Sequence, residues 1–285
     1  MDARVFCAGA VMVVAVGCAQ TRTREDIDFH PAFPKAQAAA VENVGVENVE
    51  AKPVETVSND VRGMPLGSSV QGRVVSMTVF GSGVRPVLVI GGIHGSEPTS
   101  VDVAKALLSE IQKRPESIGS NSVAIIPVAN PDGYLVKSRF NARGVDLNRN
   151  FPANNWRKAP ARGRKNYGGE ALSEPESQAI ANAIDTLHPR LIISIHSIDD
   201  GRHCNNFDGP AEGIAKLMTT YNKYPAAATI GYPTPGSLGS FAGIDRQIPM
   251  ITLELPRSVS GVKAWGGWTN LWFSFPSFCR ASARK

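Results

Sequence analysis

Along the 285 residues the spacing of apolar side chains changes character twice. Val5 to Gly17 is a nearly unbroken apolar run of small residues, shorter than the roughly 20 positions that a bilayer-spanning helix needs. From Ala19 to about Met64 no helical or strand period persists. That stretch is rich in Ala, Glu, Val and Pro and carries the near-repeat Val41-Glu42-Asn43-Val44 and Val46-Glu47-Asn48-Val49, the texture of a flexible tether. After Pro65, β-branched runs alternate with helical spacing, as in an α/β domain occupying 65–285. Val70–Phe80 and Val84–Ile90 read as strands joined by Gly81-Ser82-Gly83. Pro98–Lys113 reads as a helix with Val101, Ala104, Leu107, Leu108 and Ile111 on one face, followed by a strand over Ser122–Pro127. Glu174–Leu187 is a second helix capped by Ser173, and it leads into a strand at Leu191–Ile195. A last buried strand spans Pro249–Leu255.

The candidate chemical residues fall at or just after the C-terminal ends of these strands, the edge where ligands gather in open α/β sheets. Gly91-Gly92-Ile93-His94-Gly95-Ser96-Glu97 follows the strand that ends at Ile90. A catalytic zinc takes imidazole and carboxylate ligands on a rigid turn and keeps one position open, and His94 with Glu97 offers two such ligands. A third can come from His196, at the end of the apolar run Leu191–Ile195, with His203 as the rival. The polar stretch Arg139–Asn150 holds Arg139, Arg143, Asn148 and Arg149, groups able to grip a carboxylate or stabilise an oxyanion. In the same stretch Asp146 could orient a metal-bound histidine. Glu254, inside the apolar Ile251-Thr252-Leu253-Glu254-Leu255, is costly to bury without a task, and a general base in a dry site is one such task.

Composition narrows this further. A chain with 30 Lys and Arg against 25 Asp and Glu is mildly basic, but it has no Lys/Arg block interleaved with aromatics, so nucleic acid is not an expected partner. The tetrad Ala15-Val16-Gly17-Cys18 resembles a bacterial lipobox, which makes 1–18 a lipoprotein signal peptide and Cys18 the lipidated residue. A signal cleaved without lipid, or an uncleaved anchor, is the alternative. In the lipoprotein reading the domain is anchored by lipid on the periplasmic side of a bacterial cell envelope, and the lack of Asp after Cys18 favours the outer membrane. Cys204 and Cys279 would then be the remaining thiols in an oxidising compartment, where they could pair.

Taken in order, His94-x-x-Glu97, Asn130-Pro131-Asp132-Gly133, Asp146-Leu147-Asn148-Arg149-Asn150, the strand-end His196 and the late Glu254 resemble the zinc carboxypeptidase family over about Gln71–Pro256. The resemblance implies a mixed, mostly parallel sheet with helices on both faces and one zinc ion per chain on His94, Glu97 and His196. It further implies Glu254 as general base, Arg139 as oxyanion arginine with Arg143 as competitor, Asn148 and Arg149 as the grip on a terminal carboxylate, and Asp146 as support for His94. Within the family, Arg143–Pro152 and Gly231-Tyr232-Pro233-Thr234-Pro235-Gly236-Ser237 resemble the bacterial murein peptide amidases. Those enzymes cut the γ-D-glutamyl–meso-diaminopimelate bond of cell-wall peptides and implicate Tyr232 in substrate binding. A general metallocarboxypeptidase, an aspartoacylase or succinylglutamate desuccinylase-like amidohydrolase, and a catalytically dead wall-binding lipoprotein are the rivals. Oligomeric state is not legible in the sequence.

Overall fold

In the computed structural model the described residues are 60–159 and 166–261. The expected leader, Cys18, the tether up to residue 59 and Cys279 lie outside them. Eight strands form one sheet: β1 (Val61–Ser68), β2 (Val74–Phe80), β3 (Val87–Ile90), β4 (Val123–Ile126), β5 (Leu191–Ile198), β6 (Cys204–Asp208), β7 (Ala226–Ala227) and β8 (Met250–Pro256). Their order is β1-β2-β4-β3-β5-β8-β6-β7. The centre, β4-β3-β5-β8, is parallel. Antiparallel β1 and β2 extend it on one side, and β6, antiparallel to β8, extends it on the other.

The largely apolar centre explains this layout, because every residue of β3, β4 and β5 is buried, as a parallel sheet covered on both faces requires. Successive strand residues alternate between two cores. Val87, Val89, Ile125, Ile193 and Leu253 face α1 (Pro98–Lys113) and α4 (Glu212–Asn222), which contribute Val103, Leu107, Ala215 and Met218. Leu88, Ile90, Ile126, Ile192 and Met250 face α3 (Pro175–Leu187) and the π-type turn Gly239–Asp245. Each large aliphatic side chain so buried contributes roughly 1.5–3 kcal/mol. Helices therefore cover both faces of a mixed sheet, as the family resemblance implied. No helix among the described residues is long and apolar enough to cross a membrane.

Several boundaries differ from the sequence expectation. The span Val70–Phe80 splits, since Ser69 N–H bonds Arg73 O (2.7 Å) around Gly72 at φ 78°, and the strand begins at Val74. The expected tether ended at Met64, yet Val61–Met64 already pair with Phe80–Met77. Strand β1 is exposed along its length and carries Pro65 at a bulge, both properties of an edge strand and invisible to apolar periodicity. Strand β3 starts at Val87, because Val84 is exposed and Pro86 offers no N–H to the ladder. Helix α3 takes Glu174 as N-cap and Pro175 as its first residue, while the Ser173 hydroxyl donates to Glu174 Oε1 instead of capping.

The turns leaving β3 and β4 form one unit. Gly91 N–H bonds Ile126 O, Ala129 N–H bonds Gly91 O and Asn130 N–H bonds Gly92 O, all between 2.8 and 3.0 Å. Asn130 caps the short helix α2 (Pro131–Leu135) through Gly133 N–H and gives its Nδ2–H to Ile93 O. Asp132 ties the same unit to the β1–β2 turn, accepting from Ser69 Oγ, Gln71 N and Arg73 Nη1. Burial opposes ionisation of Asp132, but these bonds outweigh it and lower its pKa. Gly95 lies directly on the Gly133–Tyr134 peptide, where any Cβ would overlap backbone. Gly95→Ala should therefore destabilise the fold by about 2–4 kcal/mol through forced backbone displacement. Gly63→Ala, facing open space, should change it by less than about 0.5 kcal/mol. Urea unfolding midpoints of the two variants check the contrast, and equal midpoints would contradict the interlocked turns.

Candidate active site

Three elements deliver the candidate ligands. His94 sits on the turn after β3, and Glu97 caps α1, its carbonyl accepting from Ser100 Oγ at 2.7 Å. The same Ser100 hydroxyl accepts from Gly92 N–H at 3.1 Å, so the turn is fixed at both ends. His196 lies within β5, which runs three residues past the expected end at Ile195, to Ile198. Both histidines are 3% exposed and Glu97 4%.

His94 Nδ1 lies 2.8 Å from Glu97 Oε1, His196 Nδ1 lies 3.1 Å from Glu97 Oε2, and the two Nδ1 atoms are 3.1 Å apart. An ionised carboxylate only accepts, so Asp146 Oδ1, 3.1 Å from His94 Nε2, takes the Nε2 proton and leaves Nδ1 bare. Ser194 Oγ meets His196 Nε2 at 3.0 Å and can serve it in the same way. Two imidazole Nδ1 atoms and a carboxylate then converge on one point, an arrangement that calls for positive charge between them, a proton on His94 or a metal ion. The donor set of two nitrogens and a carboxylate oxygen, all within 4.8 Å of one another, suits zinc.

The electrostatics agree. Burial opposes protonation of His94, but Glu97 and Asp146 outweigh it and raise the pKa to about 9. Burial also opposes ionisation of Glu97 and Asp146, yet His94 and its neighbours hold both carboxyls well below their ordinary range. The pocket therefore attracts positive charge, and a metal entering it displaces protons.

Glu254 lies on β8 in register with His196 on β5, so its carboxylate enters the cleft beside the ligands. Burial is the main cause of its raised pKa. The cleft, ≈ 220 Å³, also receives Arg139, Asn148, Arg149 and Tyr232. Arg139 donates from Nε to Asp146 Oδ2 (3.0 Å) and from Nη1 to Glu97 Oε1 (3.4 Å). Arg149 is buried, and its guanidinium makes one hydrogen bond among the described residues, to Asn148 O at 2.6 Å. Asn148 accepts from Leu238 N–H at 2.9 Å, and Tyr232 stands half exposed at the mouth.

The rivals lie elsewhere. Arg143 turns to Ser173 O and Glu174, outside the cleft lining. His203 packs its ring 4.6 Å from Tyr224 and takes no part in the His94–Glu97–His196 cluster. Cys204 is buried and bonds no other cysteine among the described residues, and burial and Glu254 push its thiol pKa up to about 11; Cys279, with which it could pair, lies outside those residues. Two cleft residues, Arg202 and Asp208, are not foreshadowed by the motifs. Asp208 ends β6, a strand whose Cys-Asn-Asn-Phe-Asp sequence carries no apolar period. The available signal was α4 just beyond it, where Ile214, Leu217, Met218 and Tyr221 recur at helical spacing.

Comparison with known proteins gives a consistent result. The zinc carboxypeptidase family profile matches residues 49–203. Murein peptide amidase A of Escherichia coli K12 is 33% identical over 184 residues, covering 59% of this chain and 70% of that protein. The crystal structure of a murein-tripeptide amidase from Escherichia coli O157 superimposes with a TM-score of 0.61 at 27% identity, covering 76% of this chain and 91% of that one. Bovine thrombin-activatable fibrinolysis inhibitor shares the fold, with a TM-score of 0.66 at 17% identity, over 79% of this chain and 90% of that one.

If His94, Glu97 and His196 hold the metal, His196→Ala should lose most bound zinc, since one of three protein ligands is gone. His203→Ala should keep it. Zinc per chain, measured by elemental analysis after dialysis, separates the two, and full occupancy in His196→Ala would exclude His196 from the site.

Proposed function

The chain belongs to the zinc carboxypeptidase family, and from that premise we propose that it hydrolyses the γ-D-glutamyl–meso-diaminopimelate amide of peptidoglycan-derived peptides. As a family member it is a zinc metallopeptidase of the amidase or carboxypeptidase kind. The observation that carries the reading is the buried His94–Glu97–His196 cluster with Glu254 in register one strand away. The substrate is supported by the likeness to murein peptide amidase A.

A zinc ion held by His94, Glu97 and His196 would supply Lewis acidity to the scissile carbonyl and to the attacking water. Glu254, raised in pKa by burial, takes the proton from that water and returns it to the leaving amine. Arg139, aimed at the cluster by Asp146 and Glu97, donates to the oxygen that gains charge at the tetrahedral stage. Asp146 has the positioning role, fixing the His94 tautomer and Arg139 together. Arg149 and Asn148 take the carboxylate adjoining the scissile nitrogen, and Tyr232 closes over the substrate from the mouth. Diaminopimelate also carries an amine at its far end. Asp208, which accepts no hydrogen bond among the described residues and whose pKa burial raises, is the cleft carboxylate suited to it.

The lipobox-like Ala15–Cys18 extends the proposal to location: a lipid on Cys18 would hold the domain at the periplasmic face of the envelope, within reach of wall peptides.

Zinc-loaded protein should release free diaminopimelate from L-Ala-γ-D-Glu-meso-diaminopimelate, identified by product mass. Blocking the carboxylate beside the scissile amide should slow it at least tenfold or so. Efficient removal of C-terminal apolar residues, with the tripeptide left intact, would replace this reading with a general carboxypeptidase. Glu254→Gln should keep its zinc while turnover falls by roughly a hundredfold or more. Near-normal turnover would remove Glu254 from the mechanism. Cys18→Ser should abolish acylation, and a mature wild-type protein without lipid would refute the anchor.

A further inference from the structure

Apart from Arg149 and Glu254, already assigned to the reaction centre, two charged side chains in the cleft lack a counter-ion among the described residues. Asp208, at the end of β6, accepts no hydrogen bond and joins no ion pair. Arg202, on the loop between β5 and β6, forms no ion pair either. Its Nη2 donates to Ile230 O at 2.5 Å, and its guanidinium carbon lies 5.7 Å from the Tyr232 ring centroid. Other arginines of the cleft are engaged, Arg139 with Asp146 and Glu97 and Arg257 with Asp199 at 3.3 Å.

Asp208 and Arg202 line the same cleft and yet do not pair with each other. Both are held where they are. Gly239 and Gly243 pack directly on Asp208, so that a Cβ at either would strike it, and the Ile230 carbonyl and Tyr232 ring hold Arg202 at the mouth. An anion and a cation kept apart in one cleft present opposite ends to whatever enters. The chemical complement is a zwitterion whose amine and carboxylate share one carbon.

Resting on the reading that the substrate ends in diaminopimelate, we infer that Arg202 binds the distal carboxylate of that residue while Asp208 takes the neighbouring amine. Arg149 and Asn148 are committed to the carboxylate beside the scissile amide, so the distal carboxylate requires a second cation, and Arg202 is the one without an ion pair. The arrangement makes Arg202 a specificity-determining residue. Lysine at the same position presents the amine but no carboxylate, and it leaves Arg202 unanswered. Arg202 is solvent-exposed, so its discrimination is weaker than that of a fully buried ion pair.

The test uses the full-length zinc-loaded protein and three tripeptides, L-Ala-γ-D-Glu linked to meso-diaminopimelate, to diaminopimelate with its distal carboxyl amidated, and to L-lysine. Wild type should prefer the first over the other two by roughly ten- to a hundredfold in kcat/KM, the scale of one charge-assisted bidentate contact. Arg202→Gln should lose that factor on diaminopimelate and change by less than about threefold on lysine, so that the preference collapses. Arg202→Lys should restore part of it. Because the side chain is exposed, the variants should unfold at the wild-type temperature. A preference unchanged in Arg202→Gln, or an equal fall on all three peptides, overturns the inference while leaving diaminopimelate hydrolysis by the wild type intact. A wild type that cuts none of the three overturns the functional reading and this inference with it.

Discussion

Three lone-pair donors, His94 Nδ1, His196 Nδ1 and a Glu97 oxygen, are aimed at one point, and the rest of the cleft is arranged around keeping them there. With all three deprotonated, as a metal requires, they repel, and in a buried pocket that repulsion is poorly screened. The fold opposes it by gripping each donor from behind. Asp146 holds His94, Ser194 holds His196, and the Ser197 N–H holds Glu97 at 3.0 Å. These grips start from rigid elements: β5 for His196, the head of α1 for Glu97, and a turn pinned to α2 for His94. Preorganisation of this kind makes affinity for a dication a property of the scaffold.

The same constraint orders the charges further out. Glu97, Asp146 and Glu254 bring three carboxylates into one small buried region, an arrangement that costs several kcal/mol per unpaired ion unless cations answer it. Arg139 answers Glu97 and Asp146 from the cleft wall, while Glu254 forms no ion pair among the described residues and burial raises its pKa. Asp146 serves both sides, one oxygen on His94 and the other on Arg139, so these two side chains share one support. Arg149, Arg202 and Asp208 keep hydrogen-bonding capacity facing the cleft.

Legibility in the sequence followed the physics of each signal. Apolar runs exposed the central strands, because a strand buried on both faces can contain little else. His94, Glu97, His196 and Glu254 stood out because each is a polar group at or beside such a run. Strand β1 was hidden because an edge strand buries neither face. Strand β6 was hidden because its buried Asn205 is satisfied by Asn222, a partner 17 residues away that no local pattern reveals. The family resemblance favoured Arg139 over Arg143 by its spacing to Gly144 but left Arg143 as a competitor, because the physical distinction rests on Asp146 and Glu97 meeting one and Glu174 the other. Asp208 and Arg202 acquire meaning only when β6 is folded against β8.

If the converging donors define this structure, the metal should matter to folding as well as to turnover. The direct measurement is the thermal unfolding temperature of the chelator-stripped protein, followed as zinc is added back. At a free zinc concentration about a thousandfold above its Kd, binding to the folded state alone adds about 4 kcal/mol, a rise of roughly ten degrees for a domain of this size. The rise should saturate at one zinc per chain and vanish in His196→Ala. An unfolding temperature indifferent to chelation and to zinc would contradict it.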